Sequence, residues 1–500
     1  MTVQQQAGTE NERAYAYQGA EGAWTITKDE FEGHKGFSSD LPSIEGSWRE
    51  IPINFTYTFD ANGDVTGTQT YTRKTWPSTG YTGWIGGAVG QDGKIYCGRH
   101  TEKGFLIIDP DAGKAYTWGA PGAQQNQQES GMVSHPNGKI YTCPASNGGI
   151  YEIDPLNKTY YKWYPGFSTG FEANQGVGGS IYPVQKFCNG VVAPNNNCIY
   201  YIPDGADQVL KVDPSTRTQT LIGTQCPYQG FEPTSTTHWT WNQSGRHKFI
   251  QGVLAKDGNI YMIGNTHSNA RIAKLDPRTD TVDWNHRQYE GALYGYTSSA
   301  TYIKDPSGND IERYWTSAIA APDGEIYLIP DQYPWIYCYR IQNNYLHAQQ
   351  GSYNLPAGNE DNWESACLGT VSGSNPITNS DDNHKVCGAV VGADGNIYCG
   401  PEKTGAAKIL KIYTGREKYT MGVDPFYGVS TTKYGYEWID LLGWSGAYSG
   451  FHSAVLAPNG HMYLVPGDTK SDGPQGVVEI HLGTASKPAP WTYGPYITAK

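Results

Sequence analysis

The 500-residue sequence has few charged residues and no long apolar segment. Asp, Glu, Lys and Arg make up 17% of it, and acidic groups outnumber basic ones, for a formal net charge of −12. A nucleic-acid-binding protein needs basic groups that neutralise phosphates, so this charge argues against nucleic acid as a partner. No apolar stretch approaches the roughly 18 residues that a membrane-spanning helix needs, and the polar N-terminus does not match a signal peptide. We therefore expect a soluble protein without membrane insertion that is made in a cytoplasm.

Cysteine is scarce and odd in number. The chain has nine cysteines, which cannot all pair with one another. Two neighbouring candidates are also out of register, because a hairpin turning at Asp394-Gly395 would place Cys387 opposite Glu402 rather than opposite Cys399. We therefore expect buried, reduced thiols that act as small hydrophobic side chains.

Glycine, proline and tyrosine are abundant, with 62, 30 and 38 residues. The stretch GQDGKIYCG at 90–98 places Asp-Gly between two short apolar runs, which predicts a β-hairpin with a type I′ turn. Similar stretches recur along the chain, and each one contains a tyrosine shortly after the turn. They lie at 86–98, 131–143, 190–202, 252–264, 318–330, 388–400 and 454–466.

A second hairpin follows each copy of the first. In the clearest cases an apolar strand runs into Asp-Pro, turns, and leaves as a strand rich in Thr, Tyr and Trp. These second hairpins lie at 105–118, 150–163, 209–222, 271–284, 335–348, 408–421 and 477–493. Two hairpins make four antiparallel strands, and a repeat of four strands with a period in the mid-forties is typical of a propeller blade. The sequence therefore predicts an all-β, seven-bladed β-propeller at 84–500, preceded by an N-terminal arm and hairpin at 1–83.

The long insertions are expected at one end of the predicted ring. They lie at about 165–187, 224–249, 286–314, 352–386 and 423–451, all between the last strand of one blade and the first strand of the next. The turns within the blades are short, so the opposite end is expected to be bare. Loops on a rigid scaffold commonly carry binding sites, and this asymmetry indicates where a ligand would bind.

The insertions contain aromatic and amide side chains suited to stacking on sugars. The candidates for this aromatic binding surface are Trp239, Trp241, Asn242, Tyr436, Trp438 and Trp444. The alternative is that these rings pack the loops against each other, since long ordered loops need a small core of their own.

Basic side chains recur fourteen residues before the repeated tyrosine. Lys186, His247, Arg313 and His384 occupy this position, and Lys248 follows directly in one repeat. Near the channel mouth they would form a basic rim suited to an anion, although solvated cations at loop ends are the simpler interpretation. His247 and His384 belong to non-adjacent repeats without a recurring carboxylate, so we expect no metal site here and no cofactor.

The repeated unit resembles two groups of propellers. The pattern G-A-V-x-x-x-[DN]-G-x-I-Y, followed by a strand ending in Asp-Pro, is similar to the seven-bladed propellers of the streptogramin-lyase and NHL-like group. It also resembles propeller proteins that tailed bacteriophages carry on their particles. The first resemblance implies lyase or lactonase activity through central acidic, Asn or His residues, often with a divalent metal. No such set can be matched residue by residue in this sequence.

The second resemblance favours a non-enzymatic bacteriophage virion component, in the capsid or on the tail exterior. On this hypothesis residues 1–83 anchor the chain to other virion proteins within a homo-oligomeric or larger assembly, and the loop-rich face contacts a host-surface glycan or protein. The alternative is a propeller enzyme of lyase or lactonase type with its site at the channel mouth. A WD40-like scaffold is less favoured, because no Trp-Asp signature ends the blades.

Overall fold

The fold is described from a computed structural model of the chain. The structure describes residues 2–5, 15–19, 22–26, 48–59, 65–72, 83–99, 104–119, 129–144, 149–163, 187–227, 248–264, 271–288, 315–322, 324–330, 335–341, 345–347, 365–367, 386–392, 395–401, 408–412, 414, 436–441, 451–467 and 476–482. Every regular element in these ranges is a β-strand. Accordingly, the described residues contain no helix of the length and apolarity needed to cross a membrane.

The strands follow the repeats of the sequence. Before the first repeat lie β1 (Thr2–Gln5), β2 (Tyr15–Gly19), β3 (Gly22–Ile26), β4 (Trp48–Phe59) and β5 (Val65–Thr72). The first sheet contains β6 (Trp84–Val89), β7 (Ile95–Arg99), β8 (Phe105–Asp109) and β9 (Lys114–Trp118). The second contains β10 (Glu129–Ser134), β11 (Ile140–Pro144), β12 (Ile150–Asp154) and β13 (Thr159–Trp163). The third contains β14 (Phe187–Ala193), β15 (Cys198–Pro203), β16 (Val209–Asp213) and β17 (Thr218–Ile222).

The remaining sheets repeat this order. The fourth contains β18 (Gln251–Leu254), β19 (Ile260–Ile263), β20 (Arg271–Asp276) and β21 (Thr281–Gln288). The fifth contains β22 (Trp315–Ala320), β23 (Ile326–Pro330), β24 (Trp335–Arg340), β25 (Tyr345–His347) and β26 (Ser365–Cys367). The sixth contains β27 (Val386–Val391), β28 (Ile397–Pro401), β29 (Lys408–Ile412) and β30 (Tyr436–Asp440). The last contains β31 (Phe451–Leu456), β32 (His461–Pro466) and β33 (Gly476–His481), with β4 as its fourth strand.

The sheets form a β-propeller. Within each sheet the strands pair in antiparallel order from the first to the fourth. The first strands β6, β10, β14, β18, β22, β27 and β31 contact one another in that sequence, and β31 in turn contacts β6. Buried apolar clusters lie between successive sheets, including one that joins the last sheet to the first through Val465 and Trp84. The predicted all-β propeller of four-stranded antiparallel sheets is confirmed.

The turn between the first two strands differs from the predicted type I′. In the first sheet, Gly93 N donates to Gly90 O and Gly90 N donates to Lys94 O. Gly93 has a positive φ of 77°, whereas Asp92 is not among the described residues with positive φ. This is a type I turn followed by a left-handed glycine, a three-residue connection in which only the glycine needs the unusual backbone.

The repeated tyrosine fixes this turn through the Asp or Asn that precedes the glycine. In the fourth sheet, Asp257 accepts the backbone N–H of Asn259 at 3.0 Å with one oxygen and the hydroxyl of Tyr261 at 2.8 Å with the other. Asn459 likewise accepts the backbone N–H of His461 with its side-chain oxygen, but its amide nitrogen donates to the hydroxyl of Tyr463. Equivalent pairs join Asp92 to Tyr96, Asn137 to Tyr141 and Asn196 to Tyr200. The tyrosine therefore recurs because its ring fills the core while its hydroxyl satisfies a turn residue.

Neighbouring first strands approach each other closely around the ring axis. A Cβ at Gly86 would lie 2.7 Å from the Cα of Gly131, so only glycine fits there. Polar side chains bridge the strands: Gly86 N donates to Ser453 Oγ at 2.7 Å, and Gly252 N donates to Asn189 Oδ1 at 3.0 Å. The small residues of the first strands are thus explained by backbone proximity.

The described cysteines are reduced and buried, as the sequence predicts. They are Cys97, Cys143, Cys188, Cys198, Cys226, Cys387 and Cys399. The three-residue turn and a β-bulge between Cys387 and Ala389 each shift the register by one residue, so Cys387 lies opposite Gly400 and not opposite the predicted Glu402. Cys387 is nevertheless out of register with Cys399, which lies opposite Ala389.

Strand β4 closes the ring, and the sequence did not predict this. Its first part, Trp48–Pro52, pairs antiparallel with Gly476–Ile480 of β33. Its next residues, Ile53 and Asn54, pair parallel with β9 of the first sheet. The expectation that the first fifty residues contribute no blade strand is therefore wrong for residues 48–50. The expected partner strand at 483–493 lies outside the described residues, and the anchoring role of 1–83 stays a prediction.

Replacing Tyr261 with Phe should destabilise the protein by about 1 kcal/mol, because Asp257 loses a hydrogen bond at a buried site while the ring remains. Urea unfolding followed by circular dichroism measures the change. Tyr161→Phe is the matched control, since that side chain is 54% exposed. Equal losses in the two variants would contradict the role assigned to the repeated tyrosine.

Removing residues 1–54 should lower the free energy of unfolding by at least about 3 kcal/mol. Ile51 and Ile53 are 2% and 0% exposed, and each buried isoleucine contributes about 1.5–3 kcal/mol. Removing residues 1–47 keeps all of β4 and should leave the unfolding midpoint nearly unchanged. Thermal unfolding of the two truncated proteins tests the closure, which is refuted if both melt with the full-length chain.

Candidate functional site

The two ends of the propeller are unequal. At one end, here named the turn end, tight turns at 90–94, 135–139, 255–259 and 457–461 join the first two strands of their sheets. At the other, the loop end, the connections between consecutive sheets span 119–128, 164–186, 223–250 and 289–314. The predicted asymmetry holds for these connections.

The insertion predicted at 423–451 does not lie wholly at the loop end. Strand β30 is the fourth strand of the sixth sheet, with Trp438 opposite Leu410 and Tyr436 opposite Ile412. The stretch 413–435 therefore joins the third strand to the fourth, which is a turn-end connection, and 441–450 leads on to β31. The prediction was wrong because it placed the fourth strand at 416–421, directly after the third.

Most predicted site residues lie outside the described residues. These are Trp239, Trp241, Asn242 and Trp444 of the aromatic surface and Lys186, His247, Arg313 and His384 of the channel mouth. Tyr436 and Trp438 are positions of β30 rather than of a loop. Their roles in binding stay predictions.

Lys248, predicted as part of the basic rim, is instead held by hydrogen bonds inside the fold. It is buried, and its Nζ donates to Asp207 Oδ1 at 2.6 Å and to the carbonyl oxygens of Gly205 and Ala206. An ammonium group neutralised in this way is a poor ligand for an external anion. The rim prediction is therefore wrong for this residue.

At the turn end, strand register brings a polar cluster together on one face of the last sheet. Tyr463 lies opposite Glu479, and His461 lies opposite His481. On the other side of β33, Glu479 lies opposite Arg49 of β4. Directly opposed residues, and residues two apart on a strand, share one face of a sheet. Three strands distant in sequence thus place two imidazoles, a carboxylate, a phenol and a guanidinium side by side.

Glu479 is the centre of this cluster. It is only 1% exposed; Arg49 Nε donates to its Oε2, and His461 Nδ1 lies 2.6 Å from its Oε1. Nε2 of His481 lies 3.6 Å from the same Oε1. Burial alone would raise the pKa of the carboxyl group, but hydrogen bonds from His461, Arg49 and Tyr463 lower the pKa to about 2. Glu479 is therefore a carboxylate at any physiological pH.

The two imidazoles are accessible. Their rings stack with centroids 3.9 Å apart and an interplanar angle of 20°. His461 is 24% exposed and His481 is 40% exposed at the side chain. Burial, and then the neighbouring His461, lower the pKa of His481, so its neutral form is favoured. Neutral imidazole nitrogens beside a fixed carboxylate oxygen can accept protons or bind a metal ion.

Sequence reasoning missed this cluster, although the repeats contain a signal for it. His461 stands two residues before the repeated tyrosine, where the first two repeats have Lys94 and Lys139. His481 stands at the end of the third strand, where the first repeat has Asp109. Aligning the repeats on the tyrosine shows two histidines at positions that face each other across a hairpin.

Comparison with known proteins gives similarity to solved structures only. No protein-family model matches the sequence, and no curated protein matches it. The chain is similar to a streptogramin B lyase (10% identity, 81% of this chain and 94% of that chain, TM-score 0.45). It is similar to virginiamycin B lyase from Staphylococcus aureus (11% identity, 80% and 95% covered, TM-score 0.45). It is also similar to the Kuenenia stuttgartiensis hydrazine synthase (12% identity, 83% and 99% covered, TM-score 0.45).

Proposed function

We propose that this chain is a non-enzymatic binding protein whose propeller presents its loop end to a glycan on a cell surface. The observation that carries the proposal is the unequal length of the turn-end and loop-end connections in the first four sheets. The turns at 90–94 and 255–259 have three-residue loops, whereas the connections 164–186, 223–250 and 289–314 are long. A rigid scaffold with elaborated loops at one end is the usual architecture of a binding surface.

The proposal includes seven blades. Seven first strands contact one another in a closed sequence, and an apolar cluster lies between each pair of successive sheets. With β4 as the fourth strand of the last sheet, each blade has four strand positions, and in the fifth sheet β25 and β26 pair with successive parts of β24. This count matches the seven repeats of the sequence.

Polar groups of the described first strands support binding without catalysis. Asn189 and Ser453 accept backbone N–H groups of the adjacent sheet, and Gln251 Oε1 accepts Ala318 N at 3.0 Å. These side chains join neighbouring strands by hydrogen bonds, so they stabilise the ring rather than converge on one point of the channel. A lyase or lactonase needs convergent polar groups at the channel.

The place of action that we propose is the exterior of a bacteriophage particle. The repeat resembles phage-particle propellers, and the composition is rich in Gly and Tyr and poor in charge. On this proposal the N-terminal segment joins the propeller to other virion proteins in a larger assembly.

Mass spectrometry of gradient-purified particles should detect the chain at a fixed ratio to the major capsid protein. Its presence only among unassembled proteins would refute the particle location.

Replacing Trp241 and Trp444 together with Ala should weaken glycan binding about tenfold or more, since each stacking ring contributes on the order of 1 kcal/mol. Binding to immobilised bacterial surface polysaccharides, measured by biolayer interferometry, gives the change. Leu156→Ala is the control, because this apolar side chain is 58% exposed on a turn-end connection. If the Leu156 variant loses binding and the tryptophan variant keeps it, the binding surface is at the turn end.

A further inference from the structure

The cluster at the turn end of the last sheet contains the donor set of a transition-metal site. His461 Nδ1, Glu479 Oε1 and His481 Nε2 offer one ligand atom each, and these atoms lie within 4.8 Å of one another. Two imidazoles and one carboxylate are a common protein ligand set for zinc, with metal–ligand distances near 2.0–2.2 Å. Tetrahedral ligands at such distances are about 3.3 Å apart, close to the 2.6 and 3.6 Å separations between the imidazole nitrogens and Oε1.

The surroundings hold the carboxylate in a suitable orientation. Arg49 binds Oε2 of Glu479, which leaves Oε1 directed at both imidazoles. The guanidinium lies beside Gly113 of the first sheet, where an added Cβ would be 3.0 Å from Nη2 of Arg49. Fixed partners of this kind orient metal ligands and raise the affinity of the site.

Two changes are needed before both histidines can bind the same ion. His461 must release the Nδ1 proton that it donates to Glu479, since only a deprotonated nitrogen binds a metal. The nitrogen lone pairs also lie in the two ring planes, which are nearly parallel in the stack. A rotation of the His481 ring makes them converge, and the 40% exposure of this side chain leaves room for the movement. Metal binding should therefore break the stack.

The second sheet has an equivalent group of residues in which a lysine stands in place of the histidine. Glu152 lies opposite Tyr141, as Glu479 lies opposite Tyr463. There, Nζ of Lys139 neutralises the glutamate, and Lys139 occupies the position of His461 in its repeat. Arg217 also donates to Glu152, as Arg49 does to Glu479. A lysine beside an arginine thus satisfies the buried carboxylate, and the histidines add donor atoms that the fold does not require.

We propose that His461, Glu479 and His481 bind one divalent ion of the zinc class at the junction of the last sheet, strand β4 and the first sheet. The remaining coordination positions face solvent on the exposed side of His481. The site lies at the turn end, so it is separate from the glycan surface proposed above. It ties β32 to β33, the strand with which β4 pairs to close the ring.

Titration of the EDTA-treated, dialysed full-length protein tests this proposal. Isothermal titration with ZnCl2 should give one saturable site with a Kd in the micromolar range or below, and CoCl2 should produce visible absorption bands of a low-symmetry Co2+ site. Zinc should also raise the unfolding temperature, because the ion binds only the folded arrangement. Binding should weaken in acid, because metal ligands must be deprotonated.

His461→Lys is the key variant, since it reproduces the Lys139 arrangement and should fold. It should lose at least the 10–100-fold in affinity that an outer-shell change costs, and His481→Ala should behave alike. His286→Gln changes a histidine outside the cluster, paired with Asp283, and should leave zinc binding intact. The proposal is overturned if the wild-type chain shows no saturable site below about 1 mM, or if His461→Lys binds zinc as well as the wild type.

Discussion

The backbone pairing of Trp48–Pro52 with Gly476–Ile480 is the constraint on which the whole ring depends. A row of four-stranded sheets has two unpaired apolar faces, one at each end of the row. Here the last sheet takes its fourth strand from the N-terminal side, and the same strand continues as a parallel partner of β9. The apolar cluster that contains Ile51 and Trp84 then covers both end faces at once.

Within the ring, one local hydrogen-bonding motif recurs in several sheets. The aspartate or asparagine of the turn binds a backbone N–H on one side and the tyrosine hydroxyl on the other, as in Asp257 and Tyr261. Both partners lie within four residues of the turn, so the motif forms without help from distant parts of the chain. Since the turn is fixed locally, the connections at the loop end are free to vary in length and composition without disturbing the sheets.

The short sequence separation of these interactions also explains which elements could be predicted from the sequence. The first hairpins were predictable because Asp-Gly and the tyrosine are adjacent in the chain. The fourth strand at Tyr436–Asp440 was not, because the chain between it and β29 carries no periodic signal that favours 436–440 over 416–421. Ring closure by β4 depends on pairing across more than four hundred residues, and the histidine cluster depends on that closure for Arg49. The candidate glycan surface lies almost wholly outside the described residues, so its residues stay predictions.

The same closure explains why the last repeat is free to carry histidines. In the first four repeats the aspartate at the end of the third strand accepts backbone N–H groups of the following turn, as Asp109 does from Ala112 and Asp276 from Arg278. These bonds shape the short turn that leads to the fourth strand. In the last sheet the fourth strand is β4, which arrives from the other end of the chain, so no short turn has to follow β33. Position 481 therefore does not need an aspartate, and a histidine can face His461 there without removing a hydrogen bond on which a turn depends.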